Sequence, residues 1–503
     1  MKGHTQNRIN FITNIATLVA NILVALYYTP YLVEKLGLAV YGVLPLALIV
    51  NQYINVATGM LTNAFTRFYS IAIQKNDYQD ASRVLTTSIY VVLAIILMIT
   101  PALVYIIIDV DKVFNIPDGL LVDAQILFSY TILSFYLSLM SSFLNVTLYA
   151  LNRLDIMNYM RIARQVLKLL MVVVFFEAYA VNLPYVGLAN LLTEGIVLLF
   201  SIVYFFKYKP KEVHAHWRLC NKATLYAILG MSIWVLLQEC GDTFLYRTDN
   251  ILINHWLGSE SSGRVGAMSE LGGYIKAVVA VLGSVYGPLI LIAYSKSNHK
   301  EVQNLAISQT NVVGCLAAIL CGAIAGVSSE LLSIWIDDSF VNYGHWLIMK
   351  LVPIPFFAAG AILSFVYRAW NRVREPAIWT LLIGIIDIIV LLPICYIAEE
   401  GLAEKVLFIS GLFSIAQSYI LGIIIFSKIY PECTKAFSSI TIKIIVTMLL
   451  SFIIAYATKS IICVTSFVSL VSVLFTSGIM SLIILVFFLF NKKERNSIIA
   501  VFK

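Results

Sequence analysis

The chain has 503 residues, 60% of them hydrophobic and only 12% charged, and its mean hydropathy is +0.89. That balance excludes a soluble globular protein. The formal net charge of +7 does not point to nucleic acid either, because the basic residues are scattered over short connections and never gathered on a domain. Apolar runs of about 20 residues, the length that crosses ~30 Å of hydrocarbon as helix, recur from end to end, and the ten-residue alternating segments of a membrane barrel are missing. The expected fold class is an all-α polytopic membrane protein.

In chain order fourteen spans are expected, near 9–30, 40–68, 83–108, 122–150, 161–180, 183–206, 223–256, 265–293, 304–329, 344–370, 376–397, 404–428, 440–459 and 464–490. The first run is too long for a signal-peptide core and carries Asn14 and Asn21, so it reads as a retained span. Pro184 splits the region 161–206 into a tight hairpin. With the N-terminus in the cytoplasm, 26 of the 34 basic residues fall in cytoplasmic loops and tails, the bias expected of a correctly counted chain. Arg161, Arg164 and Lys168 are counted among those loop residues, while Arg247, Lys276 and Lys350 lie within or at the edge of spans. Both termini are therefore placed inside.

The loops leave no room for an appended catalytic module. There is no phosphate-cradling glycine loop, no HExxH, no GxSxG and no Ser/His/Asp grouping, so the chain is not read as an enzyme and no catalytic residue or cofactor is expected. The seven cysteines have no paired spacing, and His214-Ala215-His216 is better read as a solvated loop than as a metal site.

The two halves resemble each other. Leu36-Gly37 after the first span matches Leu257-Gly258 after the seventh, Lys75 and Asp80 match Lys296 and Glu301, and "YALNR" at 149–153 matches "RAWNR" at 368–372, all at an offset near 220. A repeat of six spans keeps the same orientation, so the copies should be related by an axis along the membrane normal with a cavity between them. Residues 1–210 and 211–430 are the expected lobes. Residues 431–503 hold two further apolar spans suited to contact with lipid.

Charges inside spans are rare and expensive, at roughly 2.5–3.5 kcal/mol each near mid-membrane. Here they are Glu194, Glu239, Asp242, Arg247, Asp249, Glu270, Lys276 and Asp387. On a wheel of about 100° per residue, Glu239, Asp242, Thr243, Tyr246, Arg247, Asp249 and Asn250 fall in one wedge of about 160°. One wet face on the seventh helix suits a cavity lining, and the competing reading is a set of interhelical ion pairs. Arg67, Asn152-Arg153 and Asn371-Arg372 stand at the cytoplasmic ends of the second, fourth and tenth spans, where they either anchor topology or admit an anionic headgroup from the cytoplasm.

With these motifs in place, the chain resembles the polysaccharide-transporter branch of the MOP (MATE-like) superfamily, the Wzx-type flippases for lipid-linked O-antigen, capsule or exopolysaccharide units. The resemblance runs over the whole length. It rests on the 6+6+2 organisation, "KLGLAVYGVLPL" (35–46), "GMLTNAFTRFYSIA" (59–72), "YALNRLD" (149–155) and "TDNILINHWLG" (248–258). It implies two pseudo-symmetric six-helix lobes plus two extra helices and alternating access. It also implies an undecaprenyl-diphosphate-linked oligosaccharide carried from the cytoplasmic to the outer leaflet of a bacterial inner membrane. Arg247 and Lys276, with Tyr246 and Asn250, are then the candidates for substrate binding. Glu239, Asp242, Asp249 and Glu270 are the candidates for coupling H⁺ or Na⁺ or relaying charge. Membrane lipids and the polymerase and glycosyltransferases of the same pathway are the implied partners. The absence of any acid or base from 9–33 argues against a peptidoglycan precursor as cargo. The alternative is a MATE-type drug or cation antiporter.

Overall fold

The computed structural model describes residues 2–490 except 118, 217–218, 285, 287–289, 291–292, 295, 371 and 398–399, and among the described residues it is helical throughout, with no strand. Eleven helices are long and apolar enough to cross a membrane. One of them belongs to α7 (Lys222–Ser284), whose 63 residues are interrupted only at Gly258, φ 83°. At 1.5 Å per residue that is about 95 Å of helix, three times the ~30 Å of hydrocarbon, so it makes two crossings turned at one glycine. Counting it twice and adding α2 (Val43–Gln74) and α5 (Leu154–Ala178) recovers the fourteen expected spans.

The chain divides into two compact units. The first comprises Met1–Thr243 and Asn254–Gly263, the second Phe244–Ile253 and Arg264–Lys503. The first unit contains α1 (Lys2–Leu36), α2, α3 (Tyr78–Ile108), α4 (Leu121–Ala150), α5 and α6 (Leu183–Tyr208). Its α1 is held to α5 by polar side chains on one helical face. Asn10 donates to the Asn152 side chain (3.0 Å), Asn158 donates to Thr13 (3.0 Å), and Thr17 follows one turn further on. In a span without charges these short polar groups hold helix to helix, as hydroxyls and amides do in lipid.

The sequence starts a span near 161 and counts Arg161, Arg164 and Lys168 with the adjoining cytoplasmic loop, whereas α5 begins at Leu154 and runs through all three. Polar composition reads as loop, yet a helix satisfies its own backbone wherever it starts, and these long side chains find partners inside the unit.

The second unit contains α8 (His299–Gly326), α9 (Gly344–Leu351), α10 (Ile354–Ala369), α11 (Arg374–Ile397), α12 (Leu402–Ile415), α13 (Leu421–Ile429), α14 (Thr434–Ile461) and α15 (Phe467–Ile484). The expectation that the last two spans simply face lipid needs amending. Ile440, Ile444, Thr447, Ser451 and Ala455 form a buried stripe on α14, while Ile442, Leu449 and Ile453 on its other side are exposed. The stripe docks on the small-residue face of α8. A Cβ at Gly322 would stand 2.4 Å from the Met448 carbonyl oxygen, and Ser451 Oγ donates to the Ile319 carbonyl at 2.8 Å. Small residues let backbones approach where no hydrophobic effect drives helices together.

The repeat is visible in the backbone. Gly37 and Gly258, 221 residues apart, have φ 78° and 83°, and Asn76 and Ser297, at the same separation, have φ 56° and 55°. One residue on, Asp77 caps α3 through the Asp80 amide and Asn298 caps α8 through the Glu301 amide. The same left-handed turn and side-chain cap close corresponding hairpins in both halves.

Between α12 and α13 lies a π-helical turn, Ala416–Ile420, of the kind that often accompanies functional sites. It is seated against α10, where a Cβ on Gly360 would fall 1.8 Å from the Ser418 carbonyl oxygen. Gly360→Ala is therefore expected to lower stability by about 1–3 kcal/mol. Gly230→Ala, with nothing within 4 Å, should stay within about 0.5 kcal/mol of the parent. Thermal unfolding of the detergent-purified protein checks both.

Candidate functional site

Several elements of the second unit bring polar groups together inside apolar helices. The section of α7 from Phe244 onward contributes Tyr246, Arg247, Asp249 and Asn250. Tyr246 and Arg247 are half-buried, whereas Asp249 and Asn250 are only 3% and 4% exposed. Asp249 is fully engaged. Its Oδ1 accepts from the Asn250 amide at 2.7 Å, and its Oδ2 forms an ion pair with Lys350 Nζ of α9. Asp387 of α11 lies within electrostatic reach of both Asp249 and Lys350. It is 1% exposed, and neither of its carboxylate oxygens has a hydrogen-bond partner among the described residues. Lys350 thus pairs with one buried carboxylate and acts electrostatically on a second.

A second cluster lies beside the π turn. Lys276 Nζ sits 3.7 Å from the centroid of the Tyr246 ring and 5.4 Å from that of Phe357. The Tyr246 hydroxyl donates to Gln417 Oε1 at 3.5 Å, and Gln417 Nε2 donates to Thr380 Oγ1 at 3.2 Å. Ser410 Oγ ties α12 to α7 through the Leu245 carbonyl at 3.1 Å. The π turn widens the helix locally and turns Gln417 towards this cluster. A cation against an aromatic face is worth up to ~2 kcal/mol when desolvated.

Among the residues expected from sequence, the fold therefore brings Tyr246 to Lys276 and Asn250 to Asp249. Glu270 is half-buried and accepts from the Tyr274 hydroxyl at 3.2 Å. Glu239 and Asp242 belong to the first unit's part of α7, where Glu239 is exposed and Asp242 half-buried. Sequence reasoning left Lys350 and Asp387 out of the site. The available signal was a lone acid in "LLIGIIDIIVLLP" and a lone base in "HWLIMKLVP", each expensive enough to demand a partner.

The residues expected at a cytoplasmic entry are divided between the two units. Arg67 and Arg372 are exposed, and Asn371 lies outside the described residues. Asn152 occupies the left-handed turn after α4, φ 57°. Arg153 is committed to structure, with two nitrogens on the two oxygens of Asp155 (3.0 Å each) and a third on the Tyr208 hydroxyl (3.0 Å). Asp155 is only 7% exposed and also accepts from Gln6. Arg153→Ala should cost about 1–3 kcal/mol by stranding that carboxylate, whereas Arg372→Ala should leave the unfolding midpoint unchanged. The same denaturation experiment separates them.

No family model matches the chain. It is 25% identical over 406 residues to the uncharacterized membrane protein EpsK of Bacillus subtilis (strain 168), 78% of each chain being covered. Among solved structures, the lipid II flippase MurJ in an inward closed conformation aligns with a TM-score of 0.67 at 13% identity, over 94% of this chain and 98% of its own. An inward-facing MATE-family multidrug resistance transporter of the MOP superfamily aligns with a TM-score of 0.67 at 13% identity, over 83% and 96%. These likenesses establish the architecture: the chain has the all-helical fold of MOP-superfamily transporters and flippases.

Proposed function

We propose that the protein is a flippase for undecaprenyl-diphosphate-linked oligosaccharide repeat units, of the O-antigen, capsule or exopolysaccharide kind. It would move them from the cytoplasmic to the outer leaflet of the inner membrane by alternating access. The observation that carries this reading is the Lys276–Tyr246–Gln417 cluster, in which a cation is held inside apolar helices with a hydrogen-bonding side chain beside it. A diphosphate needs charge-assisted donors in a dry site, and a sugar needs amide and hydroxyl partners next to an aromatic face. Arg247 and Lys276 are the residues assigned to the diphosphate or to anionic sugars, with Tyr246 and Asn250 beside them. Asp249 then positions this face through Lys350. The likeness in fold to a lipid II flippase over 94% of the chain adds support, as does the lipid-facing side of α14, against which a polyprenyl tail can lie.

The antiporter reading has one observation in its favour. Asp249 pairs with Lys350, and Asp387 lies within electrostatic reach of both, a set that could exchange a proton or a sodium ion. Such coupling is compatible with flipping and would drive it. The test is made in a producing strain from which the gene has been deleted. Surface polysaccharide should be lost and lipid-linked repeat units should accumulate inside, both reversed by the wild-type gene. Normal polysaccharide in the deletion strain would sink the proposal. Dye efflux from a pump-deficient host would favour the antiporter.

A further inference from the structure

The first unit has a cavity of about 200 Å³ that the sequence did not suggest, between α2, α4, α5 and α6. That is below the ~300 Å³ at which pockets begin to take drug-sized molecules, so it suits a small group. Its polar lining is Thr66, Ser142, Asn145, Tyr149, Arg161 and Arg164.

The charges do not balance. Arg164 Nε lies 3.0 Å from Glu194 Oε1, yet it makes no aligned hydrogen bond, and Glu194 Oε2 is also unpartnered. Arg161 reaches only the neutral Asn158 amide oxygen, at 3.4 Å, and no carboxylate pairs with it among the described residues. Two guanidiniums therefore face one carboxylate. The Asn145 side-chain oxygen is buried without a partner among the described residues as well.

Depth matters too. Asn145 is five residues before the end of α4 and Arg161 seven after the start of α5, about 8–10 Å from the α4–α5 turn. The basic-residue bias puts that turn in the cytoplasm, which sets the cavity just below the inner headgroup layer.

We propose that this cavity is a binding site for phosphate oxygens. Forked guanidiniums flanked by hydroxyl groups match phosphate geometry, and the excess positive charge favours an anion. The phosphate comes from a polyprenyl diphosphate headgroup waiting in the inner leaflet or from free phosphate. Only the first source rests on the flippase reading. The anion chemistry stands on the cavity alone.

The experiment is a binding titration of the detergent-purified full chain with inorganic diphosphate and with farnesyl diphosphate. Wild type should bind, and affinity should fall as salt is added. Arg161→Gln breaks no ion pair and should weaken binding on the order of ten-fold or more, the effect of one lost charge-assisted hydrogen bond. Ser142→Phe, which fills the cavity and keeps every charge, should do the same if the arginine variant fails to fold. Tighter binding of farnesyl diphosphate supports a lipid-borne headgroup, and equal binding of the two probes supports free phosphate. Absence of binding by wild type, or unchanged binding in both variants, overturns the proposal. If polysaccharide export depends on the gene while diphosphate does not bind, the cavity assignment fails and the flippase reading survives. If diphosphate binds but the deletion strain exports normally, the reverse holds.

Discussion

Lys350→Ala is expected to cost the protein most of its stability. The change removes the ammonium that pairs with Asp249 and lies within electrostatic reach of Asp387, carboxylates that are 3% and 1% exposed. Breaking a buried pair by removing one partner costs about 3–5 kcal/mol, a large share of the 5–15 kcal/mol that typically separates folded from unfolded. The loss comes from stranded carboxylates rather than from a missing attraction, and that distinction is testable. Lys350→Met combined with Asp249→Leu replaces the hydrogen-bonded pair by apolar groups of similar size, leaves Asp387 as the one stranded carboxylate of the two, and should recover part of the thermal midpoint, since such swaps are often neutral. The double variant should nevertheless fail to export polysaccharide if the pair sets the polar face of α7. Unfolding midpoints of the two single variants and the double variant give the coupling energy, expected to exceed about 1 kcal/mol. A Lys350→Ala protein as stable as wild type would mean that the pair carries neither role.

Lys276→Ala is the substitution expected to reduce transport most while leaving the fold intact. The ammonium lies over the Tyr246 ring at 3.7 Å, so its loss removes a cation–π contact of ~2 kcal/mol. It also removes a charged donor for the cargo, worth about 1.5–3 kcal/mol. The second loss alone predicts a fall in export of roughly 10- to 100-fold. Lys276→Arg should retain a substantial fraction, because a guanidinium also stacks and donates. Tyr246→Phe keeps the ring but breaks the link to Gln417 and Thr380, and should be mild. Tyr246→Ala should approach Lys276→Ala. The measure is surface polysaccharide per cell, normalised to the amount of protein in the membrane. Equal export by all four variants would remove Lys276 and Tyr246 from the substrate path.

Much of the architecture was legible because membrane helices write themselves as long apolar runs and their orientation as a bias of lysine and arginine. The repeat was legible because a left-handed turn and a helix cap demand particular residues. Gly37 and Gly258 share a positive φ, and Asp77 and Asn298 share a capping role. Helix boundaries were harder. "SESSGRVGAM" after Gly258 looks like a loop, yet Ser259, Ser262 and Gly263 are buried within continuing helix. Hydropathy also cannot tell a lipid-facing side from a helix-facing one, so the docking of α14 on α8 was invisible until the small residues were seen in register.

The site was legible as a set of costs but not as a set of contacts. Asp249 stood out, whereas its partner Lys350 is 101 residues away and lay at the edge of a span, where a lysine usually snorkels. Arg161 and Arg164 were hidden by the same rule that oriented the chain, because a base near the cytoplasmic face needs no further explanation. Only the cavity they line, with one carboxylate beside Arg164, separates them from ordinary topology anchors.

The central claim is transport of a polyprenyl-diphosphate-linked oligosaccharide, and reconstitution tests it most directly. Proteoliposomes carrying a fluorescent short-chain version of such a lipid are treated with a membrane-impermeant quencher. The account predicts that wild-type protein exposes inner-leaflet label to the quencher and that Lys276→Ala largely abolishes this. Quenching confined to the outer leaflet for wild-type protein, equal to that of protein-free liposomes, would contradict it.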